Sequence, residues 1–144
     1  MTYEIELYFQ AGGASAADLA DALSARIVAL DPGLGFADAD LGTQVWSGYV
    51  GRTDRSDERA EVLLLELHCS PELLRAKIQD LLLDEAPDTR VAESDAFVKI
   101  TLIGAYVDWA AVRTIWQAVD SLWPSIPYDE TSGFDFGLDS VPGG

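Results

Sequence analysis

Apolar and polar positions alternate from the third residue onward: Tyr3, Ile5, Leu7 and Phe9 fall on one side of an extended chain, and Glu4, Glu6, Tyr8 and Gln10 on the other. That pattern predicts a half-buried strand. Gly12 and Gly13 interrupt it, Ser15 and Asp18 resemble a helix-capping pair, and Leu19, Leu23, Ile27 and Leu30 then recur at helical spacing as far as Asp31-Pro32-Gly33. Residues 33–42 read as a loop. Residues 43–50 are rich in strand-favouring side chains despite Gly48 and predict a second strand.

Beyond a polar link at residues 51–59 the alternation returns: Leu63, Leu65, Leu67 and Cys69 share one face, and Val62, Leu64, Glu66 and His68 the other. The second and third strands are expected to form a hairpin. Ser70-Pro71-Glu72 is a helix start with an N-cap hydroxyl, a proline in the first turn and an early acid. Leu74, Ile78, Leu81 and Leu82 line that helix, which ends before Pro87. Residues 96–106 alternate again, with Val98, Ile100 and Leu102 inward and Phe97, Lys99, Thr101 and Ile103 outward.

The order βαββαβ predicts an α+β fold of ferredoxin-like type, in which two helices cover one face of a four-stranded antiparallel sheet. An additional C-terminal helix over residues 108–122 carries Trp109, Val112, Trp116, Val119 and Trp123 in one stripe, widened by Ile115 and Leu122. Such a stripe is core material first. Left partly exposed, the Trp109, Trp116 and Trp123 indoles would mark a homodimer or partner contact, extended by Trp46, Tyr49, Tyr106 and Tyr128. Residues 1–123 are expected to form a single domain. Residues 124–144, with three prolines, four glycines, four acids and no base, are expected to be an acidic tail that extends from the domain or packs on it.

Charge changes the picture more than composition does. The 144 residues carry 25 acids against 9 bases, a formal net charge of −16, and the pI is near 4.1. Phosphate backbones and anionic membranes are therefore poor partners. A hydrophobic share of 49% is that of a globular chain, yet no apolar run approaches the ~20 residues that span a bilayer. Strand alternation begins so close to Met1 that no secretory leader is expected, and the single cysteine, Cys69, suits a reducing compartment. The cytoplasm is the expected location. Arg52, Arg55 and Arg59 cluster in one predicted hairpin loop, which makes the expected molecule electrically lopsided.

The usual chemistry is sparse. His68, the only histidine, sits two residues from Glu66 on one strand face, so a carboxylate and an imidazole could act together as a general base, with Glu4 or Glu6 near if the first and third strands are neighbours. Otherwise it is a surface histidine whose charged form the neighbouring acids favour. Asp38 and Asp40 fail the calcium-loop spacing, because Gly42 and Thr43 stand where an oxygen ligand and a glycine are needed. No metal or cofactor is implied, and no motif points to an enzyme.

The leading expectation is a small acidic inhibitor whose carboxylates meet the cationic cleft of a basic protein, such as a cognate toxin or nuclease-like effector. Its physical character is that of bacterial immunity proteins, although no motif ties it to them. The expected contacts are Glu4, Glu6, Glu66, Asp129, Asp135 and Asp139 on an open sheet face and tail, with Tyr8 and Trp46 as aromatic anchors. One alternative is a small ferredoxin-like enzyme or ligand-binding domain using the His68/Glu66 pair. Another is an acidic structural protein from a halophilic background, given sixteen aspartates and only two lysines.

Overall fold

In the computed structural model, residues 2–53, 63–83, 89–103 and 107–128 are described. They form β1 (Thr2–Phe9), α1 (Ala16–Leu30), β2 (Leu34–Leu41), β3 (Val45–Arg52), β4 (Leu63–His68), α2 (Pro71–Leu83), a short 3-10 helix (Thr89–Glu93), β5 (Ala96–Ile103), α3 (Trp109–Leu122) and β6 (Ile126–Tyr128). The class is α+β. The sheet has six strands in the order β2-β3-β4-β5-β1-β6, with every neighbouring pair antiparallel.

The four-stranded ferredoxin-like expectation is therefore corrected in three places in the sheet and in the placement of α2. Residues 34–41, read as a loop, pair with β3 as an edge strand. Strand β5 lies between β1 and β4, which are not neighbours. Residues 126–128, placed in the tail, add a strand outside β1. The sequence of β2, LGFADADL, conceals its role because an edge strand is held by backbone bonds to one partner and few of its side chains are buried. Its ladder shifts between Ala37 and Asp40, and Asp38 takes a left-handed φ of 53°, a conformation aspartate accepts more readily than most side chains. The β3–β4 hairpin forms as the alternation predicted.

One face of the sheet is the main core. Ile5, Leu7, Leu65, Leu67, Val98 and Ile100 point into it, covered by Leu19, Leu23 and Ile27 of α1 and by Val112, Ile115, Trp116 and Val119 of α3. Ser15 caps α1 by accepting from the Asp18 N–H, and Asp108 caps α3 by accepting from Ala111. Helix α2 does not join them. It packs on the opposite face, where Leu74 and Ile78 meet Tyr8, Phe97 and Val91. Tyr8 and Phe97 are cross-strand neighbours on this more polar face, and their rings, 5.2 Å apart, form an apolar island that would be costly to leave in water.

Arg52, at the end of β3, ties both core helices to the sheet. Its guanidinium lies 2.5 Å from the carboxylate of Asp31, the C-cap of α1, and 2.8 Å from that of Asp108, the N-cap of α3. The arginine expected to polarise a loop is thus neutralised within the fold. Among the described residues, no helix is long and apolar enough to cross a membrane.

Candidate functional site

The polar face of the sheet collects much of the predicted site. Asp40, Ser47, Glu66, Lys99 and Glu6 stand side by side across β2, β3, β4, β5 and β1. Two residues along, Tyr49, Leu64, Thr101 and Glu4 form the next row. Glu4, Glu6, Tyr8 and Glu66 do share this face, but β5 inserts a lysine among them: Lys99 Nζ lies 3.4 Å from Glu4 and 3.9 Å from Glu66. Glu6 is only 8% exposed; its Oε2 lies 2.7 Å from Lys77 Nζ of α2, and its Oε1 accepts from the Tyr8 hydroxyl at 3.1 Å.

Two expected anchors are not at the surface. Tyr8 is fully buried under α2, and its hydroxyl is held far above its usual pKa by burial and by Glu6, so it stays a neutral donor. Trp46 projects from the other face into the main core, edge-on to Phe36 at 5.8 Å. The reason is register: Trp46 lies opposite Leu67, a core position, whereas its neighbours Val45 and Ser47 lie opposite His68 and Glu66. Tyr49, read from sequence only as an extension of the tryptophan surface, is the exposed aromatic of the polar face at 36%. The sequence weighs Asp40 only as a calcium ligand and does not place it on the sheet, because residues 33–42 read as a loop. Asp129, Asp135 and Asp139 lie outside the described residues, as do Tyr106, Arg55 and Arg59.

The tryptophan stripe serves the fold of its own chain. Trp116 is buried at 2%, Trp109 and Trp123 pack half-buried on the core, and Trp123 stacks on Phe9 at 4.6 Å.

His68 and Glu66 do come together, with Nε2 3.3 Å from Oε1. The imidazole is not the solvated, charge-favoured group expected from the acidic sequence. It stacks on Phe97 at 4.8 Å, and burial pulls its pKa below 6.5 against the opposing effect of Glu66, with Lys99 and Lys77 adding to the depression. A folded-state pKa below the unfolded one means that the neutral ring stabilises the protein at neutral pH. That contribution falls as pH drops through about 6.5 toward the depressed value. An NMR titration of the ring should give a midpoint below 6.5; a midpoint at or above 6.5 would contradict this account.

A separate site lies at one end of the sheet. Because β5 runs antiparallel between β1 and β4, the latter two point the same way and hand over to helices at the same end, α1 on the core face and α2 on the polar face. A cleft of about 710 Å³ opens there, walled by Leu74, Arg75 and Ile78 of α2, by Cys69, and by Ser94 and Asp95 before β5. Gly12 and Gly13, with φ of 70° and 81°, turn the chain so that the Ala11 and Gly13 N–H groups donate to Asp95. Cys69 points away from His68, as its strand position predicted. Burial raises its thiol pKa, Asp95 adds to this, and an Ala16 N–H opposes it, so the sulfur is a thiol at neutral pH. Neither His68 nor a tryptophan lines the cleft. Among the described residues no cluster of histidine, cysteine and carboxylates could hold a metal.

Comparison with protein-family models, with curated proteins and with solved structures finds no match to this chain.

Proposed function

We propose that the protein is an acidic binding module that docks the polar face of its sheet on a basic protein, as an immunity-type inhibitor covers the cationic cleft of a toxin or nuclease-like effector. The observation that carries the reading is the grouping of Glu4, Asp40 and Glu66 with the exposed Tyr49 on that one face, Glu6 being buried beneath α2. Opposite fields speed encounter and set register, and an exposed aromatic ring supplies contact area at small entropic cost. Lys99 holds two of these carboxylates, Glu4 and Glu66, in place, which lowers the ordering cost on association and leaves the face net negative. The segments 54–62, 84–88 and 129–144 hold eleven of the 25 acids and two of the 9 bases, so the wider field has the same sign. A cytoplasmic setting belongs to the same proposal.

The test begins with affinity capture from native lysate and continues with the purified partner. The expected partner is basic, its affinity falls with added salt, and Glu66→Gln and Tyr49→Ala each weaken it by about tenfold (~1.4 kcal/mol) without lowering the melting temperature. Affinity indifferent to salt and to both variants would sink the reading. The paired His68 and Glu66 favour a second reading, a general base, under which His68→Ala abolishes a turnover that the docking reading does not require. A halophilic background predicts instead that the free protein unfolds at low ionic strength.

A further inference from the structure

We propose that the cleft at the end of the sheet binds a small zwitterion of the apolar amino-acid type, with its carboxylate on Arg75 and its ammonium group on Asp95. Three features of the lining converge on this chemistry, and none depends on the docking face.

The first is a hydroxyl on the cleft wall. Ser94 is 8% exposed and lines the cleft; its backbone N–H donates to Val91, but among the described residues its side chain makes no hydrogen bond. A ligand carboxylate or amine reaching this wall can bond to the hydroxyl in place of water.

The second is charge. The lining contains one guanidinium, Arg75, and one carboxylate, Asp95. Arg75 has no ion-pair partner among the described residues, while Arg52, Lys77 and Lys99 are all paired with acids. Its planar fork suits a carboxylate. Asp95 is held by the Ala11 and Gly13 N–H groups, one on each oxygen, so the carboxylate is oriented and keeps lone pairs for a further donor. A ligand with one charge of each sign matches that pair. It also carries no net charge, so the overall field of −16 does not repel it as it repels phosphorylated molecules.

The third is shape and surface. Leu74 and Ile78 give the cleft an apolar wall continuous with the small core beneath α2, and a volume of about 710 Å³ lies in the usual range for small-molecule sites. An aliphatic or aromatic amino-acid side chain fits against that wall.

The experiment is an isotope-edited NMR titration of the full chain with L-leucine, L-methionine and L-phenylalanine. At least one should give saturable shifts at the Arg75, Ser94 and Asp95 amides at roughly millimolar concentration. Isocaproate, which lacks the amine of leucine, and isopentylamine, which lacks the carboxylate, should each bind about tenfold more weakly. Arg75→Gln, at an exposed helix position, should weaken binding by about tenfold or more with an unchanged melting temperature, and Ser94→Ala should weaken it less. The proposal is overturned if none of the three amino acids saturates, if Arg75→Gln leaves affinity intact, or if the singly charged analogues bind as well.

Discussion

Replacing Trp116 by alanine is expected to destabilise the protein by about 3–5 kcal/mol, the range for truncating a fully buried large aromatic side chain. The indole is 2% exposed, at the centre of the α3 face that also buries Val112, Ile115 and Val119. Truncation leaves a cavity between α3 and the sheet that backbone-tethered neighbours cannot fill. Against the 5–15 kcal/mol typical of a whole domain, such a loss brings the variant close to unfolding at room temperature. Urea unfolding followed by circular dichroism measures it, and Trp116→Phe, which keeps most of the volume, should lose markedly less. Trp123→Ala is the internal control. That ring is half-buried and stacked on Phe9, so its removal should cost about 1–2 kcal/mol. Equal losses at the two positions would show that the stripe is not buried in the graded way described.

Arg52→Ala is expected to cost about 2–4 kcal/mol, because it leaves two carboxylates, 25% and 15% exposed, facing each other without a counter-charge. Arg52→Lys should recover only part of the loss, since an ammonium cannot fork between Asp31 and two oxygens of Asp108. The same site predicts a pH signature. Burial alone would raise the Asp108 carboxyl, but hydrogen bonds from Arg52 and Ala111 outweigh it and hold the group below its usual range. A carboxylate depressed in the folded state stabilises it fully above the unfolded pKa of about 3.9, and the contribution is lost as pH falls through the depressed value. Stability measured from neutral pH downward should therefore fall on this acid limb in the parent chain and more shallowly in Arg52→Ala. An unchanged limb would mean that Asp108 takes no stabilisation from the guanidinium. The contribution of the neutral His68 ring is lost at higher pH, from about 6.5 downward, so the two effects separate along the same titration.

Local periodicity determined a good deal of this protein. Alternation in β1, β4 and β5 assigned each residue to one of two faces, placed His68 beside Glu66, and turned Cys69 away from both. The cap at Ser15 and the apolar stripe of α3 were legible for the same reason: each is settled within one or two helical turns. Tertiary contacts decided what period alone leaves open. Two-residue alternation says which side chains travel together, but not which strand lies next to them. Only the pairing of β5 between β1 and β4 therefore put Lys99 among the carboxylates and brought both strand-to-helix turns to one end of the sheet around a cleft. The edge strand β2 stayed hidden because its backbone bonds to β3 hold it in place while most of its side chains face water. Trp46 went inward because its register partner is Leu67, and α2 went to the polar face because Tyr8 and Phe97 meet there to form an apolar surface that neither strand displays alone.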